Sequence, residues 1–592
     1  MKPVNFPDVR KITPFALTIF AACFLAYGNS FSGAFLFDDR SAHLLGSVQL
    51  EPTSLVSKAL SSTRPVLDLS FILNFFLGGL RVWGYHAVNF LIHLAAALTL
   101  FGITQKTLLR FAADHEDPWH ALRVAFAIAL IWAVHPLQTQ SVTYIIQRGE
   151  SLMGMFYFFT LYAVIRGTDS PSKTWIWYGA AILSCVLGMA TKEVMVTAPL
   201  TVLLYDRIFL AGSFHAALTK RRVLYAGLFA TWIVLFVILT SHSSEIGKSV
   251  GFGYEKLSWI DYAKTQPAVI LHYLRLAFWP RPLILDYAWP VATSIELVLP
   301  GLAVVAVLFA ATFVGLIRRS ALAFPAAWFF LILLPTSSVV PIADLAGEHR
   351  MYLPLAGVVP LAVLGADGVI HRLVPSTRLK KWISTTLLFL VAGALSIGTI
   401  RRNRDYQSEI GIWRDVISKK PENFRAYNNV GVALDGEGKP GEAVTYYSKA
   451  LELNPSYDRA HFNLGTALDK SGKRDEAVEH YKSAVRINPL NMEAHNNLAV
   501  AYVERGELDQ ALIHYAEVIR LKPAFAEGYF NLGNAWIRKG KPKEALEAYA
   551  KAVQLKPGLV QARDGFQRAL AQIQASEKPS EEKEQIGPPA SN

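Results

Sequence analysis

Two adjacent carboxylates, Asp38 and Asp39, follow directly on the apolar run 13–36. They stand where a membrane span would be reaching water. A carboxylate at a bilayer centre costs roughly 2.5–3.5 kcal/mol. Just beyond the span it costs little, yet still lies against the membrane surface, where a base acting on a lipid-linked substrate must sit. The plain alternative is the polar end of a helix, since acids commonly flank spans. The pair could also take a divalent ion through its oxygens, but two adjacent acids are too few donors to define a metal site, so the metal is left unassigned.

Other groups able to do chemistry recur at span ends. They are Arg64 and Asp68, then His135, Gln140, Arg148 and Glu150, then Lys192 and Glu193, and finally Asp344, Glu348, His349, Arg350 and Tyr352. Arg64, Arg148, Lys192 and Arg350 are candidates to hold a phosphate, because a fixed cation stabilises a leaving group that gains charge and arginine's fork matches phosphate oxygens. His86, His135, Glu193, Glu348, His349 and Tyr352 are candidate supporting groups. His86, Asn89 and His93 share one helical stripe by their spacing and could simply hydrogen-bond neighbouring helices. Lys192–Glu193 could be an interfacial ion pair, and Arg148 and Arg350 could snorkel to headgroups.

Positioning these groups falls to a chain of 592 residues, 52% hydrophobic and 18% charged. That average hides two halves. Residues 1–400 hold many runs long enough to cross a bilayer, at about 20 residues each. Eleven spans are expected, near 13–33, 85–106, 119–136, 151–167, 174–190, 194–211, 222–241, 295–317, 321–340, 351–370 and 382–400. Lys2, Arg10 and Lys11 place the N-terminus in the cytoplasm. The loops holding Lys106 and Arg110, Arg166 and Lys173, Lys220 to Arg222, Arg318–Arg319, and Arg372 to Lys381 fall on that same side. The candidate groups then collect on the outer face. Two features strain this topology. Residues 266–280, interrupted by Pro267, His272 and Arg275, read as interfacial or re-entrant, and Arg401, Arg402 and Arg404 end up outside. A basic start and apolar run without a convincing small-residue cleavage site read as a retained first span.

The net charge of +12 does not indicate nucleic acid, because the basic residues cluster in short loops between spans. Cys23 and Cys185 both fall inside spans, which argues against a disulfide framework or a zinc site.

The second half is periodic. Prolines recur at 421, 455, 489, 523 and 557, each 34 residues apart, which is the tetratricopeptide period of two antiparallel helices per repeat. Gly431, Gly465, Ala499 and Gly533 form one column; Ala443, Ala477, Ala511 and Ala545 a second; Tyr447, Tyr481, Tyr515 and Tyr549 a third. Small residues let the helices approach and aromatics fill the space between them. The expected order is a membrane domain at 1–400, a linker and half repeat with Trp413 at 401–421, four repeats at 422–557, a capping helix at 558–575 and a disordered tail at 576–592. Asn429, Asn463, Asn497 and Asn531 occupy one place on every first helix. Asparagine is a poor mid-helix residue. The column resembles the asparagine ladder in the repeats of the nucleocytoplasmic O-linked N-acetylglucosamine transferase, which implies binding of an extended peptide backbone. The alternative is bonding within the array itself.

The membrane half carries a wider resemblance. Asp38-Asp39, Arg64-Pro65, Gly84-Tyr85-His86 with Asn89 and His93, His135-Pro136-Leu137-Gln138-Thr139-Gln140, Gln147-Arg148-Gly149-Glu150-Ser151-Leu152, Thr191-Lys192-Glu193 and Glu348-His349-Arg350-Met351-Tyr352-Leu353-Pro354 follow in that order. Together they resemble the transmembrane and tetratricopeptide-repeat O-mannosyltransferases and their bacterial relatives, of the C-type glycosyltransferase class. Gln140 departs from the glutamate common there. The resemblance implies an all-α protein, a polytopic membrane domain followed by an α-solenoid. It further implies transfer of a sugar such as mannose from a polyprenyl-phosphate donor to a Ser or Thr hydroxyl of a protein held by the repeats. The setting would be the outer face of a bacterial cytoplasmic membrane, with the repeats on the periplasmic or extracellular side. Asp39 is the favoured base, with Asp38 orienting it or binding metal. Two other classes compete: a membrane-anchored scaffold for protein assembly, which needs no outer cluster of acids and cations, and a transporter, which would put its charges near the midplane.

Overall fold

The computed structural model describes residues 9–36, 39, 52–112, 118–242 and 257–577, so the candidate Asp38 lies outside the described residues. Regular structure among the described residues is helical, with no strand. The chain divides into two compact units, Met1–Lys419 and Lys420–Asn592.

In the first unit, six helices among the described residues are long and apolar enough to cross a membrane, or up to eight if two bent pairs each count as one span. The bent pairs are Pro118–Ala133 with Pro136–Thr143, and Glu193–Leu210 with Phe214–Lys220. Each of the eleven expected stretches overlaps a helix. Thr174–Met189, at 16 residues, and Ala323–Leu333, at 11, are shorter than a full crossing needs. Trp259–Phe278, the stretch expected to be interfacial, is one 20-residue helix with Pro267 inside it. It starts where the Ser258 hydroxyl accepts the Asp261 N–H, satisfying one of the orphan donors at a helix start.

Two of the long apolar helices bury little of themselves. Ile295–Ile317 and Thr377–Asp405 each bury 11% of their most apolar window, which leaves Leu297, Val307 and Phe313 turned outward as a lipid-facing surface should be. The interior is aromatic instead. Trp132 stacks edgewise on Phe158 at 5.4 Å and Phe158 lies parallel to Trp328 at 5.7 Å. Gly154 lets the Tyr352 ring approach, since a Cβ there would sit 2.5 Å from a ring carbon.

The last long helix ends beside the end of the first. The Asn29 side chain donates to Ile400 O at 2.9 Å, and Asn403 donates to Ala26 O at 2.9 Å. Of the expected linker and half repeat at 401–421, residues 401–419 belong to the first unit: Thr377–Asp405 runs into them and Glu409–Lys419 buries Trp413. Arg402 has a reason to be at this end despite the charge pattern. It pairs with Asp415 at 2.8 Å and Asp405 at 3.1 Å, and lies 4.0 Å from Glu348.

The second unit holds four helix pairs, from Phe424–Gly436 with Pro440–Leu453 to Ala526–Arg538 with Pro542–Leu555, and then Val560–Glu577. The terminal helix takes in Ser576 and Glu577, two positions assigned above to the tail; residues 578–592 lie outside the described residues. A Cβ on Gly431, Gly465 or Gly533 would stand 2.5, 2.7 or 2.6 Å from the ring of Tyr447, Tyr481 or Tyr549, so these columns meet as the period requires. The turn inside each pair uses a further glycine with left-handed φ, at Gly438, Gly472, Gly506 and Gly540.

Candidate functional site

Glu150 and Lys192 form the centre of a buried polar cluster. The Lys192 ammonium donates to Glu150 Oε1 at 2.7 Å, and both side chains are buried. Glu150 sits in the first turn of Arg148–Asp169, whereas Lys192 stands in the break between Thr174–Met189 and the short helix Glu193–Thr197. That break is fixed by the Lys192 N–H bonding back to Gly188 O at 3.0 Å. A third segment enters through His349, whose Nε2 lies 3.9 Å from Glu150 Oε1.

Gln140 holds His349 from the other side. Its Oε1 accepts the His349 backbone N–H at 2.8 Å and lies 3.2 Å from Nδ1. An amide oxygen only accepts, so Nδ1 carries the hydrogen and Nε2 keeps a lone pair toward Glu150 and Lys192. Burial holds the His349 imidazole well below the usual histidine range, and the cations Lys192, Arg350 and Arg64 push in the same direction. The imidazole is therefore neutral at physiological pH. Three of the four candidate cations, from three separate segments, thus act on one ring. Arg64 completes this side, half exposed and 3.8 Å from Glu193. The Val66 N–H ties its segment to the Lys192 turn by bonding Ala190 O at 3.1 Å.

Asp39 joins through a neighbouring loop. Its Oδ1 accepts the Ile146 N–H at 2.7 Å and its Oδ2 the Leu36 N–H at 2.8 Å, and it is 4% exposed. Ile146 lies one turn before Glu150, so the acid and the Glu150–Lys192 pair are held by the same stretch, 144–150.

Two candidate phosphate ligands are already engaged. The Arg148 Nε donates to Asn89 at 2.6 Å, Nη1 reaches Ser70 O and Oγ at 3.2 and 3.4 Å, and Nη2 donates to Asn74 at 2.8 Å and Tyr85 O at 3.1 Å. A guanidinium has five N–H donors, and each of these five contacts takes one. Its fully buried plane also lies 4.4 Å from the Phe71 ring centre. Arg350 similarly serves its own loop, reaching Thr336 O at 3.1 Å, Leu345 O at 3.3 Å, the Tyr262 hydroxyl at 3.3 Å and Asp344 O. These two hold the scaffold, whereas Arg64 is half exposed and the buried Lys192 ammonium is bonded to a carboxylate, Glu150.

The remaining supporting candidates divide as well. Glu348 points away from His349, accepting the Tyr287 hydroxyl at 2.8 Å and the Ile284 N–H. Burial raises its carboxyl above the usual range, and Arg402 works against that rise. His135 Nε2 donates to Ala277 O at 3.1 Å, on the Trp259–Phe278 side, while its Nδ1 accepts the Leu137 N–H. The Tyr352 hydroxyl meets His93 Nδ1 at 3.0 Å in the aromatic interior. Among the described residues, neither ring nitrogen of the buried His86 has a partner. An apolar cavity of about 260 Å³ lies elsewhere, among Leu100, Thr107, Ile128, Tyr205, Trp328 and Leu364, close to the Lys106–Arg110–Asp169 ion cluster. In the sequence Gln140 stands among the outer-face polar groups and departs from the glutamate of the family pattern. Its role in orienting His349 joins residues 209 positions apart, which no local spacing reveals.

In the repeats, the asparagine column is used within the array. Asn463 donates to Asn428 of the preceding repeat at 2.9 Å, Asn531 donates to Asn496 at 3.2 Å, and Asn428 donates to Asn429 at 3.2 Å. Asn497 reaches the Tyr481 hydroxyl at 3.4 Å. Asn463, Asn497 and Asn531 nonetheless remain half-buried, so each keeps part of its amide at the surface.

Comparison with known proteins agrees with both units. Tetratricopeptide repeat families match residues 424–457, 462–524 and 526–559. The protein O-mannosyl-transferase Tmtc3 of Drosophila melanogaster is 26% identical over 525 residues, which is 76% of this chain and 56% of that protein. Mouse TMTC3, also named a protein O-mannosyl-transferase, is 24% identical over 77% of this chain and 52% of its own length. Human TMTC1, named likewise, is 25% identical over 75% of this chain and 55% of its own. The chain thus spans about half the length of these relatives.

Proposed function

We propose that this multi-pass membrane protein, a relative of the transmembrane and tetratricopeptide-repeat O-mannosyltransferases, moves a hexose from a polyprenyl-phosphate donor to a protein hydroxyl. The sugar is mannose, by analogy with the names of its relatives, and the acceptor is Ser or Thr. The single observation that carries this reading is the meeting of Glu150, Lys192, His349 and the Arg64–Glu193 pair, from four distant segments, beside the loop that holds Asp39. A pure anchor needs no such cluster.

The acceptor oxygen attacks the anomeric carbon and its proton passes to the Asp39 carboxylate. The bond between that carbon and the phosphate oxygen breaks, and the electron pair leaves with the polyprenyl phosphate. Arg64 and Lys192 face the charge that develops there, which is the usual largest contribution of such a site. Glu150 orients the Lys192 ammonium, Gln140 fixes the orientation and tautomer of the His349 ring, and burial with the neighbouring cations keeps that ring neutral. Arg148 and Arg350 keep the two loops in place. Asp38 orients its neighbour. The lipid tail lies among the apolar helices.

The chain leaves the first unit at the end where the first span finishes, through the Asn403–Ala26 and Asn29–Ile400 bonds, and this supports repeats that begin on the Asp39 side of the membrane. We assign that side to the periplasm of a bacterial cytoplasmic membrane and the repeats to holding acceptor polypeptide, with Asn429, Asn463, Asn497 and Asn531 bonding its backbone.

The test is purified protein with polyprenyl-phosphate mannose and a Ser/Thr peptide, with the product read by mass spectrometry. Mannosylated peptide above background supports the enzyme. Peptide binding without any release of sugar from the donor supports the scaffold instead.

A further inference from the structure

A second group of side chains has ligand chemistry and no part in the proposed transfer. His120 lies in the first turn of Pro118–Ala133, while Asp367 and His371 stand one turn apart on Leu355–Leu373. His120 Nε2 is 3.1 Å from Asp367 Oδ2, and His371 Nδ1 is 3.4 Å from Asp367 Oδ1. One ligand atom from each of the three lies within 4.8 Å of the others. These two helices are also bonded near their other ends, where Trp132 Nε1 donates to Tyr352 O at 3.1 Å, so the group sits at the end remote from His349.

We propose that His120, Asp367 and His371 bind a divalent transition-metal ion of the zinc class and thereby clip the two helices together. Two imidazoles and one carboxylate suit Zn²⁺ or its neighbours and not Mg²⁺ or Ca²⁺, which prefer oxygen donors alone. Pairing the helices needs only the His120–Asp367 hydrogen bond; the third group, His371, is what turns a pair into a ligand set. His371 Nδ1 also lies 2.9 Å from the Asp367 backbone carbonyl. That carbonyl only accepts, so Nδ1 holds the hydrogen and Nε2 offers its lone pair, the arrangement by which metal-binding histidines are oriented.

Ligand atoms around a tetrahedral ion with bonds of about 2.0–2.1 Å stand roughly 3.3 Å apart. Closing the present spread to that value takes a small movement of the 43% exposed His371 side chain about its bond to the Asp367 carbonyl. All three groups are part-exposed, so water completes the coordination. The ion would replace the hydrogen shared by His120 and Asp367, so binding releases protons and weakens as the pH falls.

The experiment uses the full-length protein in detergent, purified without a histidine tag and stripped with chelator, and titrated with Co²⁺ and then Zn²⁺. The expected result is one tight equivalent per chain, a tetrahedral cobalt absorption band bleached by zinc, and an unfolding temperature raised by zinc. His371→Ala and Asp367→Asn should each lower the affinity at least tenfold and abolish the thermal gain. A variant with His461→Ala and His495→Ala, which removes the histidine pairs of the repeats, should behave as wild type. A wild-type protein with no tetrahedral band, or a His371→Ala protein with unchanged stoichiometry and affinity, overturns the proposal.

Discussion

The two units satisfy their buried polar groups in opposite ways. In the repeats, asparagines bond to near neighbours in the same or the preceding repeat, as Asn463 does with Asn428, Asn531 with Asn496 and Asn497 with Tyr481. In the membrane unit, several buried groups are met by partners far along the chain: Arg148 by Asn89 and Asn74, His349 by Gln140, Tyr352 by His93. A nearest-neighbour array tolerates the loss of one rung, because its stability is a sum of local terms. A cross-linked interior does not, because one deletion leaves several polar groups unpaired in a medium without water.

The sharpest way to break this contrast is Arg148→Ala. It removes five donors at once and leaves Asn89, Asn74 and two carbonyls unsatisfied, at a cost of roughly 3–5 kcal/mol. Loss of folded protein in detergent, seen by size exclusion, is expected, and Arg148→Lys should rescue little because a lysine cannot reproduce the fork. Next comes Gly465→Ala, whose Cβ would meet the Tyr481 ring at 2.7 Å and Ala477 O at 3.1 Å. The cost is about 1–3 kcal/mol, confined to that repeat, and hydrogen exchange should quicken in Asp458–Lys470 and leave the membrane unit unchanged.

Acid should act on the repeats by a related route. His495 and His514 face each other with Nδ1 atoms 2.9 Å apart, room for one hydrogen between them. Burial, and then His495, lower the half-buried His514 to about 4. A folded value below the unfolded one, about 6.5, means the unfolded chain takes up the proton more readily. Stability is therefore present in full above the unfolded value and is lost as the pH falls from there through the folded one. Exchange in Leu508–Leu521, corrected for intrinsic rate, should be faster at pH 5 than at pH 7, and His514→Phe should flatten that dependence. The smallest effect on folding is expected from changing Asn429, Asn463, Asn497 and Asn531 together to alanine. The helical signal should stay, while binding of an extended acceptor peptide weakens. Unaltered binding would leave the column with only its contacts inside the array.

The same contrast decides what could be read in advance. The period of 34 placed the proline, alanine and tyrosine columns because each repeat is its own local structure. The left-handed glycines at 438, 472, 506 and 540 obey that period too and were open to the same reading. In the membrane unit, apolar length gave the helices but not how many cross, since Thr174–Met189 and Ala323–Leu333 are short and two spans are bent. Residue type suggested Lys192, Arg64 and His349 as site groups, and the motif order grouped them. Type alone could not separate Arg148, saturated by the scaffold, from Arg64, half exposed beside Glu193. The difference lies in acceptors such as Asn74 and Ser70, whose proximity is a property of helix packing.

The account turns on Asp39 as the group that takes the acceptor's proton. Its most direct test compares wild type with Asp39→Asn in transfer of mannose from the polyprenyl-phosphate donor, with matched folded protein judged by elution and helicity. The expected result is a fall in kcat of about 10²–10⁴ with the donor KM nearly unchanged. A variant that turns over as fast as wild type would contradict the assignment.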